Sequence, residues 1–191
     1  MLRYLDVQNI LDKNDLILQE SGCVGSENER GNTYMKKIGI VTDSHSSISQ
    51  EEAEKLGIFV LPMPFYIDGE CFYESVTLSR ELFFEKLAAG ADITTSQPSP
   101  TAVMEIWDKA LEQFEKILYM PISSGLSGSY ETAMMLAKDE AYEGRVLVVD
   151  DGQVAAPLHQ MVLDTLDMIK KGYEAEQIRD LLERAGDRMM I

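Results

Sequence analysis

Met35-Lys36-Lys37-Ile38-Gly39-Ile40-Val41-Thr42-Asp43-Ser44 is the stretch that decides the fold. Two lysines lead into a short apolar run with β-branched members, and the run ends on a hydroxyl, a carboxylate and a second hydroxyl. Residues that are apolar in succession rather than alternately fit a strand buried on both faces. Outward from it, Ile58 to Leu61, Ile117 to Met120 and Val146 to Val149 repeat the pattern. Amphipathic stretches separate these runs. Ser99-Pro100 offers an N-cap and a proline at the first helical position, after which Val103, Ile106, Trp107, Ala110, Leu111 and Phe114 recur at helical spacing. Ser49 before Glu51-Glu52, Ser79 before Glu81, and Ser127 to Ser129 before Tyr130, Ala133 and Ala137 mark three more helix starts. Alternation of this kind predicts an α/β fold, a doubly wound, mostly parallel sheet flanked by helices, with its ligand beyond the carboxyl ends of the strands.

The predicted organisation has three parts. Residues 1–36 end in a polar, glycine-rich run from Ser21 to Asn32 and read as a flexible or non-native extension. Residues 37–152 carry the strand and helix alternation. Residues 153–191 are helical, one helix holding Leu158, Met161, Val162, Leu166 and Ile169 and another Ile178, Leu181 and Leu182. The apolar close Met189-Met190-Ile191 is expected to continue into further packed structure.

Seventeen basic residues against thirty-three acidic ones leave a net charge of −16, which repels phosphate backbones and anionic head groups and excludes nucleic acid as a partner. The two cysteines, Cys23 and Cys71, form no C-x-x-C pair and no zinc spacing, which fits a reducing cytoplasm. No run approaches the roughly 18 apolar residues of a membrane span, so stable membrane insertion is not expected, and Met1 to Glu20 lacks a signal-peptide hydrophobic region.

Three hydroxyl-rich loops fall at strand ends or helix starts: Thr42-Asp43-Ser44, Thr94-Thr95-Ser96-Gln97-Pro98-Ser99 and Ser123-Ser124-Gly125-Leu126-Ser127-Gly128-Ser129-Tyr130. In the third, two glycines let the backbone approach a ligand while amides and hydroxyls gather at the positive end of the next helix, an arrangement for an anion. The Gly-Lys-Ser/Thr ending of a nucleotide-binding loop is absent. Read alone, that loop is equally a glycine-containing turn whose serines cap a helix, and Asp43 is better read as a brace for its own turn than as a ligand contact.

Taken together and in order, Val41-Thr42-Asp43-Ser44, Thr95-Ser96-Gln97-Pro98-Ser99, Ser123 to Ala133 and Val148-Val149-Asp150 resemble the DegV family of fatty-acid-binding proteins, over about residues 37 to 191. Pro62 to Tyr73 resembles the family's intervening segment. The resemblance implies a two-domain protein that encloses a long-chain fatty acid. The present chain would be its first domain, residues 37–152 holding the lipid head group, followed by a helical start of an incomplete second domain in residues 153–191. By the same resemblance, Thr95, Ser127 and Gly128 contact the carboxyl group, with Ser96 and Ser124 as neighbours. It implies a carrier with no catalytic residue, no metal and no cofactor beyond the bound acid. Its partner would be a fatty acid kinase subunit that makes an acyl phosphate for phospholipid metabolism. One departure stands out: Asp151 occupies a position where the family usually has serine.

The same residues admit three other readings. A serine hydrolase would use Ser127 as nucleophile in Gly125-Leu126-Ser127-Gly128-Ser129, with His159 as its base, although the final glycine of G-x-S-x-G is missing. Metal-dependent phosphate chemistry would gather Asp43, Asp150 and Asp151. An interaction module would need only an exposed apolar face.

Overall fold

The computed structural model describes residues 36–73 and 77–186. The expectations for residues 1–36, Lys36 excepted, and for Met189 to Ile191 lie outside the described residues. The chain runs from β1 (Lys36–Asp43) through a 3-10 turn at Ser44–Ser46 into α1 (Gln50–Leu56) and β2 (Phe59–Leu61). A second group follows: β3 (Pro64–Ile67), β4 (Glu70–Tyr73), α2 (Arg80–Ala88) and β5 (Ile93–Thr95). The remainder is α3 (Pro100–Leu111), β6 (Phe114–Met120), α4 (Ser129–Leu136), β7 (Val146–Val148), α5 (Ala156–Lys170) and α6 (Ala175–Gly186).

The main sheet has four parallel strands in the order β2-β1-β6-β7. Alternate residues of its strands face two layers of helix. On one face Val41, Ile117, Tyr119, Val146 and Val148 pack with Val103 and Trp107 of α3 and Ala133 of α4. Trp107 is fully buried and stands edge-on to Tyr119 and Tyr142 at 5.4 and 5.2 Å, and the Tyr142 hydroxyl donates to Asp108 at 2.9 Å. On the other face Met120 meets Thr165 of α5, and α6 packs on β6 and β7. Burial on both sides explains why these runs read as continuously apolar. Residues 153–186 lie in the same compact unit as the sheet.

The helix starts fall where expected. Ser49, Ser79 and Ser99 accept from the amides of Glu52, Leu82 and Ala102 at 3.1, 3.3 and 3.2 Å, and Pro100 opens α3. Each cap satisfies an amide that the first helical turn leaves without a partner. No helix among the described residues is long and apolar enough to cross a membrane.

A second, antiparallel sheet of three strands, in the order β4-β3-β5, is the main addition to the predicted architecture. Its hairpin turns at Asp68-Gly69, both with positive φ (51° and 83°), the backbone of a two-residue turn that matches strand twist and favours glycine at the second position. Phe65 contacts Phe72 and Phe83, which ties α2 to this sheet.

Candidate functional site

In the main sheet the chain leaves β1 for β2 on one side and later returns to β6 on the other, so the carboxyl ends of β1 and β6 form the topological switch point, where such sheets hold ligands. Asp43 is fully buried there. One carboxylate oxygen accepts the amide of His45 at 2.9 Å, and the other accepts the amide of Ile122 at 2.8 Å. Thr42 donates to the carbonyl of Met120 at 2.8 Å. The reading of Asp43 as a brace fits this geometry, and the brace spans two strands rather than one turn.

From the brace the chain builds the Ser123 to Ser129 loop. The carbonyl of buried Ser123 accepts the amides of Leu126 and Ser127 at 3.0 and 3.3 Å, and its hydroxyl accepts that of Gly125 at 3.3 Å. The Ser127 and Ser129 hydroxyls lie 2.8 Å apart, and the Ser129 amide donates to the Ser127 hydroxyl at 3.2 Å. Gly128 stands at the N-cap of α4 and has no side chain to cap the helix, unlike the serines of α1, α2 and α3; of the α4 amides, that of Ser129 meets the Ser127 hydroxyl. The positive end of α4 is thus turned over to whatever the loop faces. A side chain at 128 would bring its Cβ to 3.2 Å from the Gln97 amide oxygen, so glycine lets the two loops approach.

The loop faces a cleft of about 600 Å³ between the two sheets, within the range of about 300–1,000 Å³ of small-molecule sites. Its lining combines two kinds of residue: the polar Ser44, His45, Thr95, Ser96 and Ser127 with Gly128, and the apolar Met63, Phe65, Leu78, Phe83, Ile93, Ile122 and Leu126. The second sheet brings Thr95 here by pairing it with Phe65, and the Ser96 amide donates to the carbonyl of Pro64 at 3.3 Å. Four of the five expected site residues, Thr95, Ser96, Ser127 and Gly128, therefore line one cleft. Ser124 does not line it: its amide donates to Asp150 at 3.3 Å, on the side of the loop that meets β7. The cleft also takes in Ser44 and Gln97, from two of the hydroxyl-rich loops, together with His45, Phe65 and Phe83, which the sequence does not single out.

Neither chemical rival finds its geometry. His159 pairs with Glu52 at 3.2 Å and does not line the cleft, so the expected base is not beside Ser127. Asp43, Asp150 and Asp151 each accept backbone amides, and no group of three or more His, Cys, Asp or Glu side chains among the described residues is arranged to hold a metal.

Behind the loop, the Asp150 to Ala155 segment holds it in place. The Ser123 amide donates to the carbonyl of Gln153 at 3.0 Å, and the Ala155 amide donates to that of His45 at 2.7 Å. Asp151 is fully buried in this segment. Burial pushes its carboxyl up to about 7; the Gln153 amide opposes the rise and the Asp150 and Asp43 carboxylates add to it. Ala155 has φ 55° and ψ −132°, a backbone that costs a residue with a Cβ about 1–3 kcal/mol. Ala155→Gly is therefore expected to stabilise the protein by about 1 kcal/mol, after allowing for the greater freedom of glycine when unfolded, and to raise Tm by about 3 °C. A melting curve that moves down would show that the alanine is not strained there.

Residues 37–191 match the family model described as "Uncharacterised protein, DegV family". The chain belongs to the DegV family. Among curated DegV domain-containing proteins, one from Caldanaerobacter subterraneus subsp. tengcongensis is 33% identical over 144 residues, 75% of this chain and 51% of the relative. One from Deinococcus radiodurans is 35% identical over 148 residues, 77% of this chain and 52% of the relative. The chain thus spans about half the length of the curated DegV relatives it matches. A solved DegV family protein from Thermus thermophilus, described by its fatty acid binding, superimposes with a TM-score of 0.71 at 32% identity, covering 79% of this chain and 54% of that one. DegV from Bacillus subtilis, described as a fatty acid binding protein, has the same fold with a TM-score of 0.70 at 24% identity, covering 80% and 54%.

Proposed function

We propose that this chain holds a long-chain fatty acid in the cleft, with its carboxylate at Thr95, Ser127 and Gly128 and its tail along Phe65, Phe83 and Ile93. The observation that carries this reading is one cleft that joins the hydroxyls of Thr95, Ser96 and Ser127 at the start of α4 to the apolar side chains of Phe65, Phe83 and Ile93. Each buried methylene contributes about 0.8 kcal/mol, so the tail supplies most of the affinity. Hydrogen bonds to a charged group contribute about 1.5–3 kcal/mol each, enough for hydroxyls and amides to fix the head group. The fatty acid binding described for the Thermus thermophilus relative supports the same reading. In this reading the protein is a cytoplasmic carrier: it presents the acid to a separate fatty acid kinase, which makes the acyl phosphate, and it catalyses nothing itself.

The test is native mass spectrometry of the purified chain, followed by denaturing extraction and titration with a fluorescent long-chain fatty acid. One acid per chain is expected, and Thr95→Ala combined with Ser127→Ala is expected to weaken binding about a hundredfold, two such hydrogen bonds at the low end of their range. A chain that neither retains nor takes up fatty acid overturns the reading. The kinase step is tested separately, by ATP-dependent acyl phosphate formation with the kinase subunit added and omitted.

A further inference from the structure

Hydroxyls and amides donate to a head group whatever its charge, so the surrounding charges decide how the cleft treats an anion. The chain carries a net charge of −16. Asp43 lies directly behind the site, Asp150 and Asp151 lie in the segment after β7, and Glu52 of α1 pairs with His159 of α5. A ligand carboxylate entering here meets a field of its own sign. Among the described residues that line the cleft there is no lysine or arginine, and His45 is the one side chain able to carry positive charge.

His45 is also placed to use that charge. It follows β1 in the 3-10 turn, where its amide is held by Asp43 and its carbonyl by the Ala155 amide, so the backbone is fixed at both ends. Its Nδ1 is buried and lies 3.3 Å from the Asp43 carboxylate, an ion pair whenever the ring carries its second proton. The side chain as a whole is 37% exposed and lines the cleft. A doubly protonated ring in this position joins two carboxylates, the buried one of Asp43 through Nδ1 and an incoming one through Nε2.

We propose that His45 selects anionic head groups, donating from Nε2 to the ligand's acidic group while Asp43 holds Nδ1. The inference rests on the fatty-acid reading above and adds to it a residue and a selectivity. Ser44, Thr95 and Ser127 donate equally well to a neutral hydroxyl, whereas an imidazolium backed by a carboxylate favours an anion. The site then discriminates between a free acid and the uncharged alcohol or ester of the same chain.

The experiment uses an alkyl sulfonate, which stays charged throughout, and the alcohol of the same chain length, each titrated at about pH 5.5 and about pH 8.5, on either side of the ordinary imidazole range. For the unmodified chain, sulfonate affinity is expected to fall about tenfold between the two conditions, while the alcohol stays level. In His45→Gln and His45→Ala, both checked by melting curve, the sulfonate loses that dependence and the alcohol binds as before. A sulfonate profile unchanged in both variants overturns the role of His45 and leaves the fatty-acid reading standing. A chain that binds neither probe nor a fatty acid under either condition overturns both.

Discussion

Asp43→Ala is expected to cost about 3 kcal/mol of stability, a fall in Tm of about 9 °C, because it strips the acceptor from two amides at once. The Ile122 amide is buried at the end of β6, and the His45 amide starts the turn after β1. A buried amide left without a partner costs about 1–3 kcal/mol, and here both lie where no other described side chain is shown replacing Asp43. Asp43→Asn should lose less, since its carbonyl oxygen keeps one of the two amides, while its NH₂ opposes the other. Thermal melts of the three proteins check the order. A Tm for Asp43→Ala within a degree or two of the unmodified chain would mean that Asp43 does not brace the switch point. The same change loosens the site, because Ile122 leads into the Ser123 loop and His45 lines the cleft beside it.

Much of this arrangement is legible in the sequence because it depends on local chemistry. Ser99-Pro100 announces α3 through capping and a preset φ, and the runs at Ile38, Ile117 and Val146 announce strands buried on both faces. The Ser127 loop is legible through its glycines and hydroxyls. The second sheet is less so. Pairing Phe65 with Thr95 crosses thirty positions of sequence, and nothing in β3 or β5 alone fixes that register. Asp68-Gly69 is a hairpin signal, but its weight depends on strands of only four residues each. His45 reads in the sequence as a solvent-facing or packing residue, because its place in the cleft is set by the Asp43 carboxylate and the Ala155 amide, the latter in a separate loop. Ser124, expected as a neighbour of the Ser127 contacts, does not line the cleft, because the orientation of its loop depends on the Asp150 carboxylate twenty-six positions away.

The last large effect concerns Asp151 and the pH dependence of stability. One of its oxygens accepts the Gln153 amide at 2.9 Å, and the other meets no hydrogen-bond donor among the described residues. Its carboxyl is raised from an ordinary 3.8 to about 7, so the folded protein binds a proton that the unfolded chain releases between those values. The sign follows: this stabilisation is complete below about pH 4, declines as pH rises, and is gone above about pH 7, a loss on the order of 4 kcal/mol at 1.36 kcal/mol per unit. Asp151→Asn keeps the Gln153 acceptor and carries no charge. It is expected to flatten that decline and to be the more stable protein at about pH 8, by about 2–4 kcal/mol. Serine, the residue that the family resemblance leads one to expect at this position, should flatten it as well. Chemical denaturation at several pH values from about 4 to about 8 checks this directly. A parallel decline in Asp151→Asn would assign the dependence to other groups. A flattened one would place a buried proton next to Gln153, whose carbonyl holds Ser123 and through it the loop of Ser127 and Gly128, so that charging Asp151 bears on the cleft which that loop lines.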